Sequence, residues 1–135
     1  MSLASYIGCN IEIPLSDEES DDLIIIGDCF SDRYDRRNVK KYQFTTPFVY
    51  EVSSHCGIEI SDYMNPKRCA ESKEKLIALC KIMDSYIDKG DYFELYSCWI
   101  GEEANKREDE ITLRINNFDI EQIKIPEKTL VRFEK

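Results

Sequence analysis

Alternating apolar and polar residues predict strands in the first part of the chain. In residues 6–15 every second side chain, from Ile7 to Leu15, is apolar, which is the period of a strand with one buried face. Residues 23–26 are apolar on both faces, which predicts a more central strand. We expect these two segments to form a hairpin across the polar turn between them.

The same period recurs further along the chain. Residues 42–52 alternate as one long strand, in which Pro47 favours a sheet edge or a bulge because it lacks an amide donor. Residues 92–100 and 110–115 predict a second hairpin around a polar loop. Shorter apolar stretches predict one or two more strands, in residues 118–125 and 129–133.

One segment has the period of a helix instead. Asn65 is a capping residue, and Pro66 suits the first helical position because its missing amide has no partner there. Apolar residues then recur at helical spacing up to a basic last turn and a stop at Gly90. By contrast, residues 31–41 are polar and basic, and we expect a loop there.

The sum of these elements predicts the fold class. Residues 58–60 are short enough to be either a strand end or a connector, and counted as a strand they give the order ββββαβββ. That order indicates an α+β domain with a mainly antiparallel, strongly curved sheet of about six to eight strands and one long helix. With 135 residues, the chain forms one domain, residues 1–135. Residues 1–3 match a remnant of an expression vector.

The single predicted helix is too narrow to cover that sheet. A helix about 10 Å wide covers two or three strands that lie about 4.8 Å apart. The sheet therefore curls around the helix, divides into two sheets, or meets another chain through its uncovered face. The last alternative includes a homodimeric structural protein.

Charge is distributed unevenly along the chain. The formal net charge is −9, and the first 32 residues contain eight acids and no Lys or Arg. A basic segment follows, with Arg33, Arg36, Arg37, Lys40 and Lys41, and we expect it to neutralise part of the acidic turn. The excess of acids predicts no nucleic acid and no anionic membrane as partners, and favours a basic protein.

The chain carries no predicted export or membrane segment. The N-terminal residues lack the basic and apolar regions of a signal peptide, and no apolar run approaches the roughly 20 residues of a membrane span. We therefore expect a cytoplasmic protein whose six cysteines are reduced thiols.

Motifs for catalysis or for metal and cofactor binding are not formed in the sequence. His55 directly precedes Cys56, and adjacent side chains of an extended segment point to opposite faces, so the imidazole does not reach that thiol unless a turn intervenes. The cysteines are too widely spaced for a zinc site. We predict no catalytic residue, no metal and no cofactor. A small cysteine- or carboxylate-dependent enzyme is the alternative.

Two groups of residues are predicted to bind a partner. The first is the acidic run of residues 17–22, which a basic surface would recognise; its ordinary role is a solvated turn. The second lies in the strand predicted over residues 92–100, where two tyrosines flank a carboxylate on one face and would attract an Arg or Lys. The alternative for that face is exposure to solvent. The predicted partner-binding residues are Asp17, Glu18, Glu19, Asp21, Asp22, Tyr92, Glu94 and Tyr96.

Two segments carry a resemblance to known proteins. They read FELYSCWIGEE in residues 93–103 and IPEKTLVRFEK in residues 125–135. In these segments the chain resembles small uncharacterised acidic proteins of Bacillus-type bacteria. In size, acidity and α+β pattern it is also similar to immunity proteins of bacterial toxin systems. The resemblance implies a non-enzymatic protein-binding module that neutralises a basic toxin.

Overall fold

The computed structural model describes residues 3–16, 24–27, 33–53, 57–61 and 65–135. These contain six strands and two helices in the order ββαβαβββ, an α+β arrangement as predicted. The strands are β1 (Leu3–Cys9), β2 (Ile25–Gly27), β3 (Phe48–Ser53), β4 (Tyr92–Trp99), β5 (Asp109–Arg114) and β6 (Thr129–Glu134). The helices are α1 (Arg33–Tyr42) and α2 (Pro66–Tyr86).

All six strands belong to one mixed sheet, in the order β2-β3-β1-β4-β6-β5. Strands β5 and β6 are parallel, whereas the other neighbours are antiparallel. The prediction of a mainly antiparallel sheet is therefore wrong. The predicted order of elements along the chain, ββββαβββ, is wrong as well. Alternation along a strand reports which face is buried, but it does not report which strand lies alongside.

Both predicted hairpins are wrong for the same reason. Strand β3 lies between β1 and β2, so β2 is an edge strand and not a central one. Strand β6 lies between β4 and β5. Residues 118–125 form no strand, and only Ile125 makes an isolated bridge, to Ile60.

The helix predicted from residue 65 is confirmed as α2. The Asn65 side chain accepts a hydrogen bond of 2.8 Å from the backbone amide of Lys67, and Pro66 is the first helical residue. The helix ends at Tyr86, before the predicted stop at Gly90 and without the predicted basic last turn, and the amide of Ile87 donates to the Met83 carbonyl. Its buried residues are Ser72, Leu76, Leu79, Cys80 and Met83.

The segment predicted as a basic loop is helix α1. Asp35 lies in its first turn, and Lys40 and Lys41 lie in its last turn, an arrangement that complements the helix dipole. Val39 is its buried apolar residue, and a single such residue leaves no apolar stripe to detect. Because α1 extends to Tyr42, strand β3 begins only at Phe48, directly after Pro47.

The two helices cover opposite faces of the sheet. Leu76, Leu79 and Met83 of α2 share a core with Ile7 and Leu95. The opposite face carries a smaller core with Val39 of α1, which contains Tyr6, Phe44, Tyr96, Cys98 and Leu130. Successive strand residues point to opposite faces, so Tyr6 and Ile7 belong to different cores. The second helix, α1, therefore covers the face of the sheet that α2 does not cover. Neither helix has the length and apolar character needed to cross a membrane.

Candidate functional site

The predicted acidic binding residues lie outside the described part of the chain. They are Asp17, Glu18, Glu19, Asp21 and Asp22. The described residues on either side are held at the β2 edge of the sheet. The Ser16 amide donates to the Ile26 carbonyl over 2.8 Å, and the Ile26 amide donates to Ser16 Oγ over 3.0 Å. The backbone at Ser16 is therefore tied to the edge strand just before the acidic run.

The three predicted binding residues of β4 share one face of the strand, as the alternation indicates. Glu94 is only 2% exposed, and Tyr96 is fully buried in the core beside α1. Tyr92 keeps some exposed surface, and the guanidinium of Arg132 lies 3.7 Å from the centre of its ring. Tyr92 is therefore accessible to a partner in this structure, whereas Glu94 and Tyr96 are not. The cation beside the Tyr92 ring is Arg132 of the same chain.

Glu94 is held by the loop that follows α1. Its Oε1 atom accepts a hydrogen bond of 3.1 Å from the Thr45 amide and one of 3.0 Å from Thr45 Oγ1. Gly8 lies opposite Glu94 in β1, and a Cβ atom at Gly8 would lie 2.7 Å from Phe44 Cδ1. The loop thus packs directly on the backbone of Gly8, which brings Thr45 within reach of the carboxylate.

A second buried carboxylate, Glu103, joins the loop after β4 to the sheet. It accepts hydrogen bonds from the Tyr6 hydroxyl, over 2.8 Å, and from the Gly101 amide, over 2.9 Å. Gln43 Nε2 donates to the backbone carbonyls of Glu103 and Asn105, so the end of α1 is attached to the same loop. Burial raises the pKa of Glu103, while hydrogen bonds, including that from Tyr6, oppose the increase.

A third buried carboxylate, Glu51, forms an ion pair with α1. Its Oε1 atom lies 3.3 Å from Arg36 Nε, and its strand neighbour in β1 is Tyr6. The basic segment was expected to neutralise the acidic turn. The acidic turn lies outside the described residues, so that expectation stays a prediction; Arg36 of the basic segment pairs with a carboxylate beneath the helix.

The described cysteines are free, and three of them are buried. Burial raises the pKa of Cys9 to about 11 and those of Cys80 and Cys98 to about 12. These three thiols are therefore protonated at neutral pH and are poor nucleophiles. His55 and Cys56 lie outside the described residues, as does Cys29. No group of three metal-ligating side chains occurs in the described ranges.

The buried polar groups beneath α1 therefore have an architectural role. Glu51 pairs with Arg36 of α1, and Glu94 accepts from Thr45 of the loop after α1. Glu103 lies in the loop after β4 and accepts from Tyr6 of β1, so each of the three fastens a helix or a loop to the sheet. Sequence reasoning chose Glu94 but missed Glu51 and Glu103. Glu51 belongs to the polar side of an alternating strand, and Glu103 is one of several acids in its loop. No local signal distinguishes either from a solvated carboxylate.

Comparison of the chain with models of known protein families, with curated proteins and with solved structures finds no match.

Proposed function

We propose that the protein is a non-enzymatic protein-binding module whose acidic segment, residues 17–22, is recognised by a basic protein. The observation that carries this proposal is that the acidic residues of the protein fall into two groups, one buried and one concentrated near the start of the chain. The buried carboxylates Glu51, Glu94 and Glu103 serve the fold. The excess negative charge of the chain belongs almost entirely to the first 32 residues, which hold eight acids and no Lys or Arg.

The described residues next to the acidic segment support a docking surface at this edge. Hydrogen bonds between Ser16 and Ile26 anchor the backbone to β2. Leu15, immediately before Ser16, is 49% exposed. An exposed apolar side chain beside charged residues is typical of an interface with an apolar centre and a polar rim.

The sharpest candidate partner is a toxin whose nucleic-acid-binding face is basic. A run of carboxylates resembles the phosphates that such a face binds, and opposite charges accelerate association through electrostatic steering. In that role the protein is an immunity protein. The proposed compartment is the cytoplasm, where free thiols such as those of Cys9 and Cys80 persist.

The described residues favour binding over catalysis. The raised pKa values of Cys9, Cys80 and Cys98 leave these thiols protonated. Glu94 and Glu103 are buried and already accept hydrogen bonds from Thr45 and Tyr6. A nucleophile or general base needs access to substrate, which these groups lack.

The test uses the product of the neighbouring gene, provided that this gene encodes a toxin. The measurements are the association rate by stopped-flow and the recovery of growth of cells that express the toxin. One variant replaces the five acids of residues 17–22 with their amides. A matched control replaces five exposed acids elsewhere, namely Glu71, Glu74, Asp88, Glu108 and Asp109.

We expect the first variant to associate at least about tenfold more slowly at low salt and to lose protection, because steering depends on local charge. The control should retain both properties. Failure of the unaltered protein to bind the toxin overturns the immunity proposal, and equal effects of the two variants overturn the role of the acidic segment. The mass in solution tests the homodimer, since one chain has a mass of 15.8 kDa.

A further inference from the structure

Strand β5 forms an edge of the sheet that no described strand covers. Its neighbour on one side is β6, and nothing within the described ranges pairs along its other side. The opposite edge, β2, has three residues, whereas β5 has six. An edge strand of this length presents amides and carbonyls with which a strand of another chain can pair.

The backbone groups on the open side of β5 belong to residues 110, 112 and 114. The Ile115 amide donates to the Glu134 carbonyl of β6 over 2.9 Å. Because the direction of hydrogen bonding alternates along a strand, the amides and carbonyls of the residues with even numbers point away from β6.

Two local contacts agree with this assignment. The Glu110 amide donates to Asp109 Oδ1 over 2.8 Å, and the Arg114 carbonyl accepts from the Asn117 amide over 3.2 Å. Neither group is therefore used by β6. The amide and carbonyl of Thr112, midway between them, point to the open side without such a local contact in the described structure.

The side chains of β5 divide between the two faces of the sheet. Ile111 and Leu113 are half-buried and pack against the larger core, on the face that α2 covers. Glu110, Thr112 and Arg114 lie on the opposite face and are exposed. The edge thus offers an apolar face and a polar one, and each is open to a further strand.

This pattern is complementary to its own inverted copy. An antiparallel pair aligns residues whose backbone groups point at each other. When Thr112 faces Thr112 of a second copy, Glu110 faces Arg114, and Ile111 faces Leu113. Opposite charges, apolar side chains and paired threonines are all favourable across two strands. A shift of the alignment by two residues places Glu110 or Arg114 opposite Thr112 and loses both charge pairs within the strand.

The charges of this edge are balanced and accessible. Residues 104–117 contain three cations and three acids, in a chain whose net charge of −9 otherwise opposes self-association. Glu110 lies 2.6 Å from Arg107, yet its side chain remains 66% exposed. Arg114 forms no ion pair with a described residue, although Glu134 is its neighbour in the ladder.

We propose that two copies of this chain join through β5, with the strands antiparallel about a twofold axis at Thr112. Thr112 exchanges both of its backbone hydrogen bonds with its copy, and the Arg114 amide donates to the Glu110 carbonyl of the second copy. The pairing also covers the exposed parts of Ile111 and Leu113. Since each copy contributes one strand, the interface is small, and we expect a dimer that dissociates on dilution.

This dimer is independent of the proposed binding of a basic protein. The acidic segment follows Ser16, which is tied to β2 at the opposite edge of the sheet. A monomeric protein would therefore overturn the dimer without affecting the proposed function, and failure to bind a toxin would do the reverse.

The test is sedimentation equilibrium of the full chain at increasing concentration, and we expect a monomer–dimer equilibrium. Glu110→Lys and Arg114→Glu each place like charges opposite each other twice in the dimer, and each should weaken association at least about tenfold. An equimolar mixture of these two variants should associate like the unaltered protein, because opposite charges again face each other between the two chains. Lys81→Glu reverses a charge at an exposed position of α2 and should leave association unchanged.

A second pair of variants tests the backbone. Thr112→Pro removes the amide that points away from β6 and should abolish association while the strand remains in the sheet. Thr112→Ala keeps this amide and should associate almost as tightly as the unaltered protein. Circular dichroism of each variant reports whether it is folded, and the charge variants alone suffice if Thr112→Pro does not fold.

Three outcomes overturn the proposal. The first is an unaltered protein that stays monomeric at every concentration, which would leave the edge to another partner. The second is a dimer that Arg114→Glu weakens no more than Lys81→Glu does. The third is a mixture of Glu110→Lys and Arg114→Glu that associates no better than its components, since Glu110 would then not face Arg114.

Discussion

The hydroxyl of Tyr6 donates a hydrogen bond of 2.8 Å to a carboxylate oxygen of Glu103, which lies 97 positions later in the chain. Tyr6 belongs to β1 near the centre of the sheet, and Glu103 belongs to the loop after β4. Gln43, just after α1, binds the backbone of the same loop. This pair therefore connects the sheet to the loop, and Gln43 connects that loop to the end of α1.

Replacement of Tyr6 by Phe should destabilise the protein by about 1–3 kcal/mol, because the buried carboxylate of Glu103 loses a donor. The measurement is the free energy of unfolding in urea. Tyr92→Phe is the matched control, since Tyr92 is partly exposed and its ring, rather than its hydroxyl, contacts Arg132. We expect the control to change stability by less than about 0.5 kcal/mol. Equal losses in both variants would contradict the role of the Tyr6 hydroxyl.

Glu103 should make stability depend on pH in a predictable direction. Its pKa is raised by burial above 4.5, so the folded state binds a proton more tightly than the unfolded state. The contribution of Glu103 to stability is therefore greatest below the unfolded pKa and is lost as the pH rises through the folded pKa. In Glu103→Gln this fall should disappear, because an amide accepts from Tyr6 without ionising. Urea unfolding of both proteins between pH 4.5 and 7.5 measures the difference, and parallel pH profiles would refute the prediction.

Gly8 should tolerate no side chain. A Cβ atom there would come closest to Thr46 Oγ1 and would lie 2.7 Å from Phe44 Cδ1, so Gly8→Ala should destabilise the protein by about 1–3 kcal/mol through overpacking. The loss should be smaller when Gly8→Ala is made in a Thr46→Ala background, where the closest atom is absent. A double-mutant cycle in urea measures this coupling. Strict additivity of the two substitutions would mean that the contact does not cause the loss.

The cap of α2 should contribute to stability. Asn65→Ala removes the acceptor of the Lys67 amide and should destabilise the protein by about 1 kcal/mol. Asn65→Ser keeps a capping oxygen and should remain close to the original stability. Thermal unfolding of the three proteins provides the measurement. An equal loss in the Ser variant would show that capping is not the cause.

The buried thiols should react slowly in the native protein. The pKa of Cys9 is raised from 9.0 to about 11, so its thiolate fraction at pH 8 is about a hundredfold lower than that of an ordinary thiol. Cys80 and Cys98 are raised further, to about 12. Iodoacetamide labelling followed by mass spectrometry should show these three residues labelled far more slowly in the native chain than in guanidinium. Comparable rates in both states would contradict the burial of these thiols.

Local chemistry explains what could be predicted of the fold. Helix α2 follows from Asn65, Pro66 and the apolar stripe after them, all within one segment. The faces of β4 follow from alternation, which places Phe93 and Leu95 in one core and Tyr96 in the other. Helix α1 was missed because Val39 is its buried apolar residue and most of its other residues are charged or polar. Its place depends on the sheet surface that it covers.

The candidate site was likewise predictable from the sequence only in part. Alternation identified Glu94 as sharing a face with Tyr92 and Tyr96. It could not show that Thr45 would cover Glu94, because that contact depends on the missing side chain of Gly8 in another strand.

The sequence by itself determined the α+β class, the position of α2, which strand faces are apolar and the concentration of acids in the first 32 residues. Periodicity, capping and charge are properties of neighbouring residues, so no fold is needed to recognise them. Only the tertiary structure decided the order of the strands, the parallel pairing of β5 with β6 and the burial of Glu51 and Glu103. These features depend on contacts between distant segments. The backbone groups of a strand can pair with any other strand, so local sequence does not specify the neighbour. A carboxylate is buried only where a distant segment supplies a hydrogen-bond donor.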